Sequence, residues 1–532
     1  MLPALENCKT YRYVQKDFSK GLWHRCGGGQ RSVFDCENIS TAQHPALSPG
    51  VPRRSWLFLS DGVQGMHCAD TLYLASDGEL YKSLGENNMH LLGSVSQENK
   101  VFGSLGNSVL ILPDFKVYDV EKATLTSKRV RLTLTEVLVQ NQDYVDQDGI
   151  ARALVRNTLY CVDFNFLDYF KPGDSVRIDG TEHNNGYYTV RGVEEHYLRF
   201  DQGSFTTEDM EVCILIKDAP ALAGTCTAGD RLWGYAGNTI YACAPEDVSN
   251  WYRYDGDVHS SYRVTVADKG AFTACVMHAG HPVFFNSDCM VEVYGDRPSN
   301  FALVHTRLSG VAQGSGASLC SVGGSMLYLS HNGVMRCSGS NAKVISEAIG
   351  KRLKNGVAAT DGRRYYLCAE DESGTRALYV YDTETDAWSR EDDDKGILYL
   401  GSMGGDVFAY CADNAVYVIG EDATGHGTPQ AMPQSFVEFH PITDNACGEI
   451  VPLRLGLRVW CDEDCKLTLW VSYDGEAWQQ RATLQNAGQR LWYVPLSVRA
   501  CHSLGVRVEG RGNYRICALI GEYKSYAEHA RL

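Results

Sequence analysis

The chain holds 532 residues, more than one hydrophobic core commonly organises, so about two to four domains are expected. Its 52 glycines and 30 tyrosines, beside only 10 methionines, favour turns and strands over helices. The formal charge of −16 excludes a sequence-independent nucleic-acid binder, whose phosphate contacts need a basic face, and fits a surface that DNA passes without sticking.

The 19 cysteines are odd in number and scattered singly through strand-like segments such as Tyr160-Cys161, Ala274-Cys275 and Leu367-Cys368. They read as buried thiols acting as small hydrophobes in a reducing compartment, not as a disulfide framework. Cys461 and Cys465 form the one tight pair. Two zinc ligands can use that spacing, but no second pair stands near it in sequence. The opening Met1-Leu-Pro-Ala-Leu-Glu-Asn-Cys8 lacks the basic and apolar regions of a signal peptide. No apolar run approaches the about 18 residues that span a bilayer. A soluble protein made in the cytoplasm is expected.

Residues 1–50, with Gly27-Gly-Gly29 and three prolines between 45 and 52, read as an extended N-terminal arm or first edge strand. Hairpins follow. Leu72-Tyr-Leu-Ala-Ser-Asp-Gly-Glu-Leu-Tyr81 centres on Asp-Gly, and Ser108-Val-Leu-Ile-Leu-Pro-Asp-Phe-Lys-Val-Tyr118 turns on Pro-Asp. Between them and the later copies, Val130 to Asp218 breaks the pattern. Pro172-Gly-Asp-Ser-Val-Arg-Ile-Asp-Gly180 and Gly186-Tyr-Tyr-Thr-Val-Arg191 predict an inserted small barrel of roughly five or six antiparallel strands over 131–217.

The hairpin unit returns most clearly from Asp230 to Gly350 and again at Tyr365-Tyr-Leu-Cys-Ala, Ala377-Leu-Tyr-Val-Tyr381 and Val407-Phe-Ala-Tyr-Cys411. Units about 40 to 50 residues apart are the blade length of propeller repeats. An all-β fold is therefore expected, with a discontinuous β-propeller of roughly five to seven blades over 51–130 and 218–422. A β-solenoid, the alternative, would need a stricter short period. One helix is predicted, Asn341 to Leu353, with Val344, Ile345, Ala348 and Leu353 on one face. Residues 423–434 read as a linker. Alternating strands over 435–532, including Leu467-Thr-Leu-Trp-Val-Ser-Tyr-Asp-Gly475, predict a C-terminal β-sandwich.

Several stretches carry residue types used in catalysis or ligand binding. Asp143-Tyr-Val-Asp-Gln-Asp-Gly149 resembles the start of a calcium loop but lacks its closing glutamate, so a solvated turn is expected. Glu391-Asp-Asp-Asp394 is an acidic run that reads as a solvated loop. Gly310-Val-Ala-Gln-Gly-Ser-Gly316 has glycines but no Lys-Ser/Thr for a phosphate cradle. His278 and His281 sit too close and too near apolar residues for a zinc helix. Ser338, Ser340 and Ser346 lack a nucleophile elbow. Paired carboxylates for sugar cleavage would come from distant blades and leave no local signature. No catalytic, cofactor-binding or metal residue is assigned, and no enzyme activity is expected.

Three stretches together resemble tailed-bacteriophage virion proteins carried by prophages. The first is the arm, Val33-Phe-Asp-Cys-Glu-Asn-Ile-Ser40 with His44-Pro-Ala-Leu-Ser-Pro-Gly-Val-Pro-Arg-Arg54. His44 stands where that family has an aromatic residue. The second is Asp230-Arg-Leu-Trp-Gly234 with Asn238-Thr-Ile-Tyr-Ala-Cys-Ala-Pro-Glu-Asp-Val-Ser-Asn-Trp251, similar to a blade phrase of tail hub and nozzle proteins; Leu329-Ser-His-Asn-Gly-Val-Met-Arg336 continues it. The third is the C-terminal sandwich with Val471-Ser-Tyr-Asp-Gly-Glu-Ala-Trp478. Tyr381-Asp-Thr-Glu-Thr-Asp-Ala-Trp388 also looks like a kelch repeat.

The resemblance implies a structural tail component: hub, nozzle or head–tail adaptor. Such a subunit would form a homo-oligomeric ring around the tail axis and touch other tail or connector proteins. Genomic DNA would pass through during ejection without specific binding. Contact with the host surface is a further expectation; membrane insertion is not. The protein would reside in the virion tail after synthesis in the bacterial cytoplasm. The alternatives are a carbohydrate-binding or glycan-degrading propeller at the tail tip, which an exposed Trp/Tyr cluster around two carboxylates would favour, and a kelch-like interaction scaffold.

Overall fold

The computed structural model describes residues 10–25, 29, 31–141, 144–145, 149, 151–152, 156–201, 205–254, 256–267, 270–420, 426–444, 448–485 and 487–525. Among them the structure is β-strand and loop, with single 3-10 turns such as Phe166–Asp168 and Gly316–Ser318 as the helical elements. The chain divides into two compact units, Asp61–Leu84 with Met89–Val311, and Met1–Ser60 with Gly85–Asn88 and Ala312–Leu532.

The first unit carries four antiparallel four-stranded meanders. Their first and last strands are Val63–Cys68 and Asn88–Ser94, Val101–Leu105 and Thr124–Ser127, Gly224–Ala228 and Tyr262–Thr265, and Ala274–His278 and Ala302–Arg307. First strands of consecutive sheets lie side by side, as the blades of a propeller do. The second strand of a blade is covered on both faces, so it reads as a nearly continuous apolar run rather than an alternation. Leu72–Ser76 is buried at every position, and Val109 to Leu112 are buried likewise. The Asp77-Gly78 turn has φ of +47° and +76°, the pair of positive angles that an Asp-Gly hairpin supplies. Blades approach closely enough that a Cβ on Gly103 would lie 2.5 Å from Leu232 Cδ2.

Between the second and third of these blades sits the inserted domain, a closed six-stranded barrel. Its order is Val130–Gln140, Thr158–Tyr160, Tyr197–Phe200, Gly186–Glu194, Ser175–Asp179 and Glu208–Lys217. Val137, Val176, Val190, Leu198 and Leu215 fill a core of its own.

The second unit adds three blades, running from Cys320–Val322 to Asn341–Val344, from Leu353–Thr360 to Ala387–Glu391, and from Ile397–Met403 to Ala415–Ile419. The last has only three strands of its own. Arg54–Phe58, from far upstream, pairs with Ala415–Ile419 as the fourth. The fold is thus all-β and of the propeller type, with four blades in the first unit and three in the second among the described residues, an inserted barrel and a C-terminal sandwich. The sandwich stacks Thr10–Gln15, Tyr514–Ser525, Ile450–Cys461 and Gly488–Pro495 against a sheet built on Ser435–Thr443, Ser503–Arg511, Lys466–Tyr473 and Gln479–Leu484.

The N-terminal residues are threaded through this unit. Thr10–Gln15 pairs with Tyr514–Ser525 in one sandwich sheet, and Asp35–Glu37 pairs with Ser435–Thr443 in the other. Gly21–Leu22 and Ser32–Val33 extend the Leu353–Glu391 blade by parallel pairing. A single apolar core therefore runs from Phe18, Leu22 and Val33 through Tyr365 and Trp388 of the blades to Val459 and Val506 of the sandwich. In the stretch read as a linker, Thr428–Pro429 pairs with Arg54–Phe58.

The predicted helix over Asn341–Leu353 is not formed. Asn341–Val344 is the outer strand of its blade, paired with Gly333–Ser338, and Ser346–Ala348 is one 3-10 turn. The apolar residues at 344, 345 and 348 suit an edge strand followed by a turn as well as a helix face, and sheet pairing decides between them. Gly339 and Gly350, at φ of +60° and +70°, end the segment on both sides.

Candidate functional site

The first unit holds a cleft of about 450 Å³ between the inserted barrel and the Gly224–Thr265 blade, within the about 300–1,000 Å³ typical of small-molecule sites. The barrel contributes Ser175 and Arg177 from the Ser175–Asp179 strand and Tyr187 from the next one; the blade contributes Tyr241, Arg263 and the loop that carries Tyr252 and Tyr254.

Local hydrogen bonding fastens the two walls. Ser175 N–H donates to the Tyr252 carbonyl at 2.7 Å, Tyr254 N–H donates to the Gly173 carbonyl at 3.2 Å, and Asp174 bridges to Arg253 through the backbone. Beneath this seam, Lys217 Nζ lies 3.2 Å from Asp174 and 2.7 Å from the Tyr169 carbonyl, and it sits 4.4 Å from the Tyr252 ring centroid. Burial raises the Asp174 carboxyl, with Lys217 opposing that shift. Trp251, fully buried, anchors the loop by donating its indole N–H to the Val248 carbonyl at 2.7 Å. Arg231 braces the same loop from inside, donating to the carbonyls of Cys243, Ser260 and Val258 at 2.7–2.8 Å.

The surface left over is aromatic and basic. Tyr187 is 70% exposed. Tyr241, Tyr252 and Tyr254 are half-buried, and burial raises all three phenols, with Arg263 opposing the shift at Tyr241 and Tyr254. The Arg263 guanidinium lies 4.6 Å from the Tyr254 ring centroid and has no carboxylate partner among the described residues. Arg177 is held 2.8 Å from Asp179, while its Nε is buried without a hydrogen-bond partner. Among the described residues the one carboxylate on the rim, Asp218, is engaged by Arg129 Nε at 2.7 Å. Planar rings with guanidinium groups between them can stack on a flat or C–H-rich ligand face and neutralise an anion beside it.

The other chemistry-bearing stretches lie elsewhere. The aspartates of 143–149 lie outside the described residues. The acidic run is drawn into ion pairs rather than left as a free rim: Arg53 contacts Asp392 and, at 3.0 Å, Asp394, while Arg376 Nε lies 3.0 Å from Asp393. Asn38 Nδ2 donates to Asp392 at 2.6 Å. Gly310 is a packing glycine whose Cβ position would meet the Asn286 carbonyl at 1.9 Å. His278 and His281 face each other across a hairpin, and His281 packs on Tyr294 with ring centroids 4.3 Å apart. Ser346 Oγ accepts from Val334 N–H at 2.9 Å, and Ser338 pairs with Ser325 at 2.8 Å. Cys461 and Cys465 are both buried, and their thiols contact each other, which holds Cys461 low and pushes Cys465 up. Among the described residues no group of three or more His, Cys, Asp or Glu converges as a metal site. Sequence reading missed the cleft, although Trp251-Tyr-Arg-Tyr254 interleaves rings with a cation in the way such a surface requires.

No family model matches the chain, and no curated protein matches it. Among solved structures it is similar to BamB from Moraxella catarrhalis, at 11% identity over 71% of this chain and 99% of that one, with a TM-score of 0.35. It is also similar to an arabinoxylan arabinofuranohydrolase of glycoside hydrolase family 43 from Bacillus subtilis, at 9% identity over 74% and 93% of the two chains, with a TM-score of 0.18. A Trypanosoma rangeli sialidase matches at 8% identity over 74% and 96%, with a TM-score of 0.22. At these scores the likenesses carry no statement about activity.

Proposed function

We propose that the protein is a non-enzymatic structural subunit of a tailed-bacteriophage virion, set in the tail as a hub, nozzle or adaptor. The observation that supports this reading most is the threading of the N-terminal residues through the second unit. The chain passes from the sandwich strand Thr10–Gln15 to the blade-paired Gly21–Leu22, back to the sandwich strand Asp35–Glu37 and on to the blade strand Arg54–Phe58, so pulling the sandwich from the adjacent blades would strain these short crossings and split one continuous core. A hinge between domains needs few crossing contacts, and this junction has many. Such a body suits a wall that must keep its shape while DNA is driven past it.

The subunit repeats as a homo-oligomeric ring around the tail axis, where closed symmetry reuses one pair of surfaces. Its other partners are neighbouring tail or connector proteins. The charge of −16 per copy keeps the passing genome from adhering. Quantitative mass spectrometry of density-gradient-purified particles tests the assignment. The protein is expected in every particle fraction at a fixed ratio to the major tail protein; its presence only in the soluble lysate overturns the reading.

A further inference from the structure

Three features of the cleft beside the inserted barrel stand apart from the rest of the molecule. It gathers tyrosines whose rings are half-buried or, at Tyr187, open to solvent. It holds two guanidinium groups, one of them without any carboxylate partner among the described residues, in a chain that is strongly acidic as a whole. Its walls are joined by backbone hydrogen bonds and by the contact of the buried Lys217 with the Tyr252 ring, so the groove exists before any ligand arrives.

We propose that this cleft is a binding site for an anionic saccharide, a short glycan segment carrying carboxylate or phosphate groups. Sugar rings present flat C–H faces that pack on tyrosine rings, and their hydroxyls bond the phenol oxygens at the ring edges. Tyr187, 70% exposed, supplies such a face from the barrel wall, and the half-buried Tyr252, backed by Lys217, faces it from the blade wall. Arg263 receives the acid group, with its plane already held against Tyr254 so that little rotamer freedom is lost on binding. The part-exposed Arg177 guanidinium, held against Asp179, adds a second cation at the same groove. Single-stranded nucleic acid also stacks on aromatics, but it brings a phosphate with every nucleotide against a surface of net negative charge, and long-range repulsion weighs against it. Spaced charges on a short glycan meet the local cations without that penalty. The cleft binds and does not cleave: its rim carboxylate is held by Arg129. This inference stands on the cleft alone and does not depend on the protein being a tail component.

The test uses the full chain on a glycan array printed with uronate-containing, sialylated and phosphorylated oligosaccharides, their uncharged counterparts, and hexathymidylate. Wild-type protein is expected on acidic glycan spots, with at least tenfold weaker signal on the uncharged partners. Arg263→Ala and Tyr187→Ala should each lower the acidic signal by at least tenfold. Both residues are exposed, and unchanged circular dichroism and melting would show that the variants fold. Arg481→Ala, in the sandwich, is expected to bind as wild type. Absence of acidic-glycan signal, equal retention of uncharged glycans, signal on hexathymidylate alone, or binding that survives both cleft substitutions each overturns the proposal.

Discussion

Asp114, in the turn after Pro113, shows how single charged residues hold the blades. Lys100 Nζ reaches it at 2.7 Å, with the lysine side chain fully buried, and Ser96 adds a backbone N–H at 2.6 Å. Burial would raise this carboxyl, but Lys100 and Ser96 outweigh it and hold it below its ordinary value. Asp382 behaves alike: burial pushes it up, and the paired Arg363 hydrogen bonds at 2.6 and 3.1 Å bring it down. A carboxyl lowered by folding contributes stability above its unfolded value, and that contribution is lost as pH falls through the folded value. Melting temperature should therefore drop below the ordinary carboxylate range, and Asp114→Asn should flatten the drop. Removing one partner of a buried pair costs about 3–5 kcal/mol, so Asp114→Asn should also be clearly destabilised at neutral pH in urea. Glu37 and Glu438 run the other way, since burial raises them and their stabilising protonated forms are lost as pH rises.

Thiols give a second prediction at this scale. Burial pushes Cys36, Cys68 and Cys320 up to about 12, far above the about 8.5 of a free thiol. A disulfide reagent added to native protein should titrate few thiols quickly and the remainder only after unfolding.

At the scale of elements, the glycine at 103 and the strand at 54–58 make opposite predictions about space and pairing. Gly103→Val would drive a side chain into Leu232, and overpacking of this kind costs about 1–3 kcal/mol. The expected outcome is a lower urea midpoint with an unchanged m-value. Deleting residues 1–58 removes the fourth strand of the last blade and exposes the Tyr514–Ser525 strand of the sandwich as an edge. That truncation should aggregate on expression, whereas the full chain should remain soluble.

Much at this scale was legible in the sequence. Asp77-Gly78 and Asp474-Gly475 both adopt the two positive φ angles that the dipeptide favours, so those turns read correctly from residues alone. Doubly covered second strands announce themselves as apolar runs. The Asn341–Leu353 helix did not, because its pattern is shared by an edge strand and turn, and only pairing with Gly333–Ser338 resolves it. The cleft was invisible for a different reason. Arg177, Tyr187, Tyr252 and Arg263 lie on segments that only the barrel–blade seam brings together.

At the scale of the whole molecule, the acidic surface and the threaded N-terminus carry the proposed role. Duplex DNA should show no retardation by the purified protein at about 50 mM salt, where phosphate contacts would be strongest; retardation that salt relieves would point to a basic lining that the acidic-conduit idea forbids. The most direct measurement is immunogold electron microscopy of phage particles induced from a strain carrying this gene, with an antibody raised to the protein. The account predicts gold at one fixed level of the tail on nearly every particle. Intact particles free of gold, with the protein recovered only from the lysate, would contradict it.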